Sequence, residues 1–268
     1  MPVYNAERTL KFVLKSIIKQ NFPKKDFELV LINDGSTDNS ERIIKSFIEE
    51  NKKILEIKYQ KQNNAGCPAA RNTGFKISNG KLIVCLDSDQ EMSRNLLKEC
   101  YEYSKKGARM LSIPEIGTDK GIVSRMVEYE KKINFHKTRR NIPRVFSREV
   151  ILNIGLWNEK LWLGEDFDVY QRALNKGYTM EIVENSFVKH HEVNHLLSLI
   201  RKYYIYGKSA PKLLLLHRQS AMKMYSGMNK QLLRNLIYFF FKNPIMWFGA
   251  MFIKFVRYLS TFTGLLHA

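Results

Sequence analysis

FELVLINDGSTDNS, residues 27–40, is the stretch whose reading decides the fold. An apolar run ends abruptly at Asp34-Gly35-Ser36, which reads as a buried strand leaving a sheet through a tight turn. The following residues, 36–53, have helical periodicity, with Ser36 and Thr37 as capping candidates. Working outward, residues 7–20 place Leu10, Val13, Leu14, Ile17 and Ile18 on one helical face. Downstream come an alternating strand (54–60), a helix (68–78) closed by Asn79-Gly80, and a second buried strand (81–86) ended by Asp87-Ser88-Asp89. Strands alternating with helices of this length imply parallel β/α units with right-handed crossovers. The expected class is α/β, a Rossmann-like, mainly parallel central sheet flanked by helices. Ligands of such sheets collect beyond the carboxyl ends of the strands, where both Asp34 and Asp87-Ser88-Asp89 fall.

Charge divides the chain. The whole carries 44 Lys+Arg against 26 Asp+Glu, a net of +18, which suggests a polyanionic partner. Residues 189–268 hold twelve Lys/Arg and a single acid, Glu192. We therefore expect an α/β domain over 1–195, with a donor half at about 1–98 and an acceptor half at about 99–195, then a basic and apolar helical region over 196–268. Its last segment, 232–268, is the most apolar of the chain, and Pro244 divides it. A span needs about 20 apolar residues. Lys254 and Arg257 fall near the middle of 244–266, where each charge costs roughly 2.5–3.5 kcal/mol. Flanked by Trp247, Phe248, Phe252 and Phe255, they suit a helix lying in an anionic membrane interface better than a span. Three cysteines, Cys67, Cys85 and Cys100, have no metal-type spacing, and the first nine residues lack the apolar core of a secretory leader. The expected location is cytoplasmic, at the inner face of the cell membrane.

Asp87 and Asp89, two residues apart at a strand end, can offer oxygen ligands to Mg²⁺ or Mn²⁺, with substrate phosphates completing the shell. The bland alternative is a solvated turn. The segment NNAGCPAARNTGF (63–75) starts a helix rich in small residues, where Arg71 could face a diphosphate or pair with a neighbouring acid. Glu165, Asp166 and Asp168 follow Gly164 at another helix start. Acids there complement the helix dipole without any chemistry. Near a cleft, their repulsion would raise one pKa and poise it as a base, and Arg172, at i+4 from Asp168, is placed to leave Asp166 free.

Taken in order, PVYNAERTL, FELVLINDGSTDNS, NAGCPAARNTGF, LDSD and GLWNEKLWLGEDFDVYQRALNKG resemble the family 2 glycosyltransferases, which have the GT-A fold. The resemblance runs from residue 1 to about 185. It implies inverting transfer of a sugar from a nucleotide-diphosphate donor to a hydroxyl, glycan or lipid-phosphate acceptor, with Mg²⁺ or Mn²⁺. It also implies that Pro2, Val3, Tyr4 and Asp34 hold the nucleotide, that Asp87 and Arg71 serve the donor, and that Asp89 takes the metal. Asp166, with Glu165, is the implied acceptor-side base. His190 or His191 is implied to reach the metal or diphosphate.

Two other classes were open to the sequence. D-x-D after a strand occurs in haloacid dehalogenase-type phosphotransferases, but Gln90-Glu91-Met92 replaces the Thr or Val they need, and they leave PVYN and GEDFD unexplained. A non-catalytic nucleotide-sugar binder is the other. Tyr203, Tyr204 and Tyr206 interleave with Arg201, Lys202 and Lys208, yet no nucleic-acid module is recognisable, so nucleic acid is not the expected partner. In the matching fold a central strand precedes the PVYN turn. Here that strand is expected to be absent, leaving unpaired backbone groups in its neighbours.

Overall fold

Residues 28–84 form the β/α units that the sequence pattern demands. In chain order the elements are β1 (Pro2–Val3), α1 (Leu10–Ile18), β2 (Glu28–Asp34), α2 (Ser40–Asn51), β3 (Glu56–Gln62), α3 (Cys67–Ile77), β4 (Leu82–Val84), β5 (Gln90–Met92), α4 (Leu96–Lys105), β6 (Met110–Ser112), β7 (Glu115–Gly117) and α5 (Ile122–Ile133). Then follow β8 (Val145–Ser147), α6 (Arg148–Ile154), α7 (Glu165–Asn175), β9 (Met180–Ile182), β10 (Val188–His190), α8 (Leu196–Tyr225), α9 (Lys230–Lys242) and α10 (Pro244–Leu266). The computed structural model describes residues 1–117, 121–133, 142–161, 164–191, 195–225 and 230–268. Contacts divide the chain into one unit of Met1–Ile116 with Ile142–His190, and a second of Gly117–Asn141 with His191–Ala268. Residues 121–133, grouped by chain order with the acceptor half, thus cluster with the C-terminal region.

In the first unit β2 pairs parallel with both β1 and β3. A second sheet has the order β4-β8-β6-β9, with β8 antiparallel to both its neighbours and β6 parallel to β9. A third joins β5, β10 and β7. Helix α1 buries Leu10, Val13, Leu14 and Ile17, and these pack with Leu29, Leu31 and Ile44 into the main core. A smaller core gathers Phe75, Phe146, Val150, Ile151 and Trp157 between α3, α6 and β8. Full burial of such side chains stabilises by roughly 1.5–3 kcal/mol each.

Two local expectations change. Helix α2 starts at Ser40 rather than at residue 36, because residues 36–40 are engaged with the N-terminal turn. Asn5 Oδ1 accepts from the Thr37 amide at 2.8 Å, Ser40 Oγ from the Ala6 amide at 2.8 Å, and Asp38 Oδ2 from the Glu7 amide at 3.0 Å. Side chains suited to helix capping thus serve another segment's backbone, and Asp38 serves both, its Oδ1 accepting from the Ser40 amide at 2.9 Å. Gly35 is required at this turn: its φ is +76°, and a Cβ there would lie 2.8 Å from the Asn64 amide nitrogen.

The other change concerns the first strand. It is not wholly absent. Pro2 and Val3 themselves pair with Ile32 and Asn33, and the Met1 amino group donates to the Val30 carbonyl at 2.8 Å. Beyond this stub lies a cavity of about 960 Å³, bordered by Glu28, Leu29 and Val30 of β2 and by Leu82, Ile83 and Val84 of β4. It runs along strand middles, and of the candidate site residues only Pro2 and Arg71 border it.

The second unit packs α8, α5 and α10 together around Val127, Leu199 and Ile253. Helices α8 and α10 touch at Gly207 and Gly264: a Cβ on Gly264 would come within 2.0 Å of the Tyr204 carbonyl oxygen. Only glycine permits that backbone approach. Arg257 forms a buried ion pair with Glu130 and stacks 4.8 Å from the Tyr203 ring. Of the two charges near the middle of α10, Arg257 is thereby paired with an acid. Among the described residues no helix is long and apolar enough to cross a membrane.

The cavity beside β2 gives a stability prediction. An apolar strand of four or five residues appended before Met1 would extend the Met1–Val30 ladder and fill the space. We expect a higher Tm in thermal unfolding followed by circular dichroism. An unchanged or lower Tm would show that the cavity does not accept a strand.

Candidate active site

The loops leaving β2 and β4 and the N-terminus of α7 carry the acidic residues singled out in the sequence, all within the first unit. Asp34, at the end of β2, is buried. Its Oδ1 accepts from Gln62 Nε2 at 2.7 Å and the Ala65 amide at 3.0 Å, and its Oδ2 from the Gly66 amide at 2.9 Å. The carboxylate therefore anchors the loop that enters α3. Val3 is fully buried, Pro2 half-buried and Tyr4 exposed.

Arg71, one turn into α3, is the hub. It is 7% exposed, and its guanidinium meets three carboxylates. Nη2 donates to Asp87 Oδ1 at 3.0 Å, and Nη1 donates to Glu165 Oε1 at 2.9 Å and to Asp166 Oδ1. Of the two roles open to Arg71, acid pairing is the one the geometry realises. Burying a guanidinium is costly unless it is paired, which is why residues 71, 87, 165 and 166 must come together. Asp168 is held separately: Arg172 Nε donates to its Oδ2 at 2.9 Å and Nη2 to the same oxygen at 2.5 Å.

Electrostatics separates the acids. Burial pushes the Asp87 carboxyl up, but Arg144 and Arg71 outweigh it and bring its pKa down to about 2. Glu165 moves the other way. Burial, and then the Asp166 charge beside it, raise its pKa to about 7 against the pull of Arg71. Burial first, and the neighbouring Asp166 charge second, set Glu165 apart from the other acids of the cluster.

Asp87 has a second cationic partner that the sequence pattern did not reveal. Arg144, just before β8, donates through Nη1 to Asp87 Oδ2 at 2.9 Å and through Nε to Glu115 Oε1 at 2.8 Å. Glu115 begins β7. Its other oxygen, Oε2, lies 3.7 Å from His190 Nδ1, and His190 Nε2 lies 3.2 Å from Asp89 Oδ2. Of the two candidate histidines, His190 reaches Asp89; His191 falls in the second unit. Neither Arg144 nor Glu115 sits in a recognisable motif. The only available signal was a position at the end of a short apolar run.

A divalent cation is what the resemblance implies at Asp89. Oδ1 of Asp89 is buried and has no hydrogen-bond partner, an arrangement that favours a positive ligand. Among the described residues no three His, Cys, Asp or Glu side chains form a cluster able to hold a metal. One carboxylate and one imidazole fit a cation such as Mn²⁺ whose remaining positions are filled by substrate oxygens.

With acids gathered at the carboxyl ends of an α/β sheet, the fold is the GT-A fold. Residues 1–155 match the family described as Glycosyl transferase family 2, and the chain belongs to that family. Glycosyltransferase GlyA of Streptococcus pneumoniae is 44% identical over 107 residues, 38% of this chain and 15% of that protein. The poly(ribitol-phosphate) beta-N-acetylglucosaminyltransferase TarS of Staphylococcus aureus is 33% identical over 99 residues, 37% of this chain and 17% of that protein. Matches with curated relatives such as these cover well under two thirds of the relatives' length. The crystal structure of TarS residues 1–349 with UDP-GlcNAc superposes with a TM-score of 0.59 at 18% identity, covering 99% of this chain and 89% of that one. The mannosyltransferase PcManGT of Pyrobaculum calidifontis, solved with GDP-Man and Mn²⁺, superposes with a TM-score of 0.61 at 18% identity, covering 94% and 72%.

The Glu165 shift carries a pH signature. An acid whose folded pKa is raised binds a proton more tightly folded than unfolded, so it costs stability as pH rises from about 4.5 to about 7. Asp87, with its lowered pKa, contributes stability that is lost only as pH falls from about 4 to about 2. We expect Glu165→Gln to gain Tm relative to wild type as pH rises from 4.5 to 7.5. Parallel Tm–pH curves would contradict the assignment.

Proposed function

We propose that the protein transfers a sugar from a nucleoside-diphosphate donor to an acceptor hydroxyl by a single inverting displacement. The observation that carries this reading is the convergence of Asp87, Glu165 and Asp166 on Arg71, beside the Asp89–His190 pair at the sheet edge. Donor-side and acceptor-side acids then share one fixed cation. Membership in family 2 supports the reaction class. The names of TarS and PcManGT support a nucleotide-sugar donor, and TarS supports a hydroxyl on a polyol-phosphate polymer as acceptor.

In this reading Pro2 and Tyr4 border the nucleotide, with Val3 buried beneath the turn and Asp34 holding the neighbouring loop in place. Asp87, fixed on both oxygens by arginines, orients the donor. Asp166, whose side chain is more open to solvent than that of Glu165, takes the proton from the acceptor hydroxyl as its oxygen attacks the anomeric carbon. The bond from that carbon to the diphosphate breaks, and its electron pair leaves with the nucleoside diphosphate. Asp89 and His190 would hold Mn²⁺ or Mg²⁺, which when bound neutralises charge on the leaving diphosphate. Glu165, titrating near neutrality, sets how much of the Arg71 charge is left to Asp166.

Asp166→Asn is expected to lower kcat with a hydroxyl acceptor by roughly 10²–10⁴-fold, the usual worth of a general base. With a phosphate acceptor, already an anion, it should change kcat little. Full activity of Asp166→Asn with the hydroxyl acceptor would remove the base assignment. Measurable donor transfer would also exclude both a pure nucleotide-sugar binder and a phosphotransferase.

The location we propose is a membrane surface. On α10, Ile245, Phe248, Phe252, Phe255, Leu259 and Phe262 are all more than half exposed, at three- and four-residue spacings along one face. The charge around them is basic, as anionic lipid requires. Phe248→Glu combined with Phe255→Glu should weaken co-sedimentation with phosphatidylglycerol-containing vesicles by at least tenfold, since each buried ring contributes roughly 1.5–3 kcal/mol. Equal binding by the double variant would overturn the membrane role.

A further inference from the structure

Asp87 and Asp89 are joined through space by a chain of side chains from the later part of the sequence. Arg144 takes Asp87 Oδ2 and Glu115, Glu115 faces the His190 ring, and His190 faces Asp89. The backbone of Arg144 is fixed at both ends of its peptide unit: its amide donates to the Leu111 carbonyl at 2.9 Å, and its carbonyl accepts from the Cys85 amide at 2.7 Å. Fully buried Gln90 braces the same group. Its Nε2 donates to Glu115 Oε1 at 3.3 Å, and its Oε1 accepts from the Asp87 amide at 3.2 Å.

We infer that Arg144 and Glu115 are positioning residues that decide where in Asp87-Ser88-Asp89 a divalent cation sits. The inference deepens the proposed donor site and rests on that reading. Two consequences follow from the geometry. With Arg71 on Oδ1 and Arg144 on Oδ2, both oxygens of Asp87 are engaged by guanidinium groups, so the oxygen left for the cation is Oδ1 of Asp89, which is buried and has no hydrogen-bond partner. Glu115 Oε2 stands 3.7 Å from His190 Nδ1, ion-pair range rather than hydrogen-bond length, and places a carboxylate on that side of the ring. A carboxylate there keeps the ring proton on Nδ1 and leaves the Nε2 lone pair directed at the Asp89 side. Carboxylates in this outer position are worth about 10–100-fold in metal affinity.

The test uses Glu115→Ala, with Arg144→Lys as a second variant that keeps a positive charge but cannot bridge both acids. Mn²⁺ is titrated in the presence of UDP or GDP, whichever the wild type binds, and free Mn²⁺ is read by electron paramagnetic resonance. His190 is followed by ¹⁵N NMR of histidine-labelled protein, its signals assigned by their loss in His190→Gln. We expect Glu115→Ala to weaken Mn²⁺ binding at least tenfold and to shift the His190 signals away from the Nδ1-protonated tautomer. Arg144→Lys should weaken Mn²⁺ binding by a smaller factor. Unchanged Mn²⁺ affinity and unchanged His190 signals in a folded variant, judged by circular dichroism, would overturn the inference. Both readouts work without turnover. A protein that shows these shifts but transfers no sugar would count against the proposed reaction and leave the positioning role standing.

Discussion

One buried cation organises this site. The guanidinium of Arg71 lies in the interior of an α/β unit, where an unpaired charge would cost several kcal/mol. Its pairing with Asp87, Glu165 and Asp166 offsets that cost. The pairing draws the loop after β4 and the start of α7 onto α3. Three acids on one cation would leave an excess of negative charge, which Arg144 reduces from the opposite side of Asp87. The donor-side and acceptor-side acids therefore do not sit near each other by accident of packing. They are the condition under which Arg71 can be buried at all.

The same constraint gives neighbouring carboxyls opposite character. Asp87 is bracketed by two arginines and stays ionised well into acid. Glu165 shares its arginine with Asp166, is more deeply buried, and binds its proton to near neutrality. Two residues of one chemical type thus take different states at one pH because their surroundings differ, which is what acid–base division of labour requires. The second unit manages its charge by a related device. Glu130 and the Tyr203 ring take up the charge of Arg257, while the outer face of α10 stays apolar and aromatic.

Much of this was legible in the residues themselves. Apolar runs broken at Asp34 and Asp87 mark strand ends, and the period of residues 7–20 marks α1. The spacing of Asp168 and Arg172 marks an i,i+4 pair. The helix and the pair form, and β2 ends at Asp34, whereas β4 ends at Val84, short of Asp87. What was not legible depended on pairing between distant strands. The antiparallel insertion of β8 between β4 and β6 carries Arg144 to Asp87, 57 positions away. The side chains of Ser36, Asp38 and Ser40 had an equally good local use, and it is the approach of residues 5–7 that makes them accept from the amides of Asn5, Glu7 and Ala6.

The sequence by itself determined the β/α alternation, the placement of acids at strand ends, the basic and apolar character of the last third, and membership in glycosyl transferase family 2, because periodicity, turn chemistry and ordered motifs are local properties of a chain. The tertiary structure alone decided that Arg71 binds carboxylates, that His190 reaches Asp89, that Glu165 holds the raised pKa, and that Arg144 and Glu115 belong to the site. Each of these depends on burial and on distances between segments far apart in sequence, and the energies of buried charges are set by those two quantities.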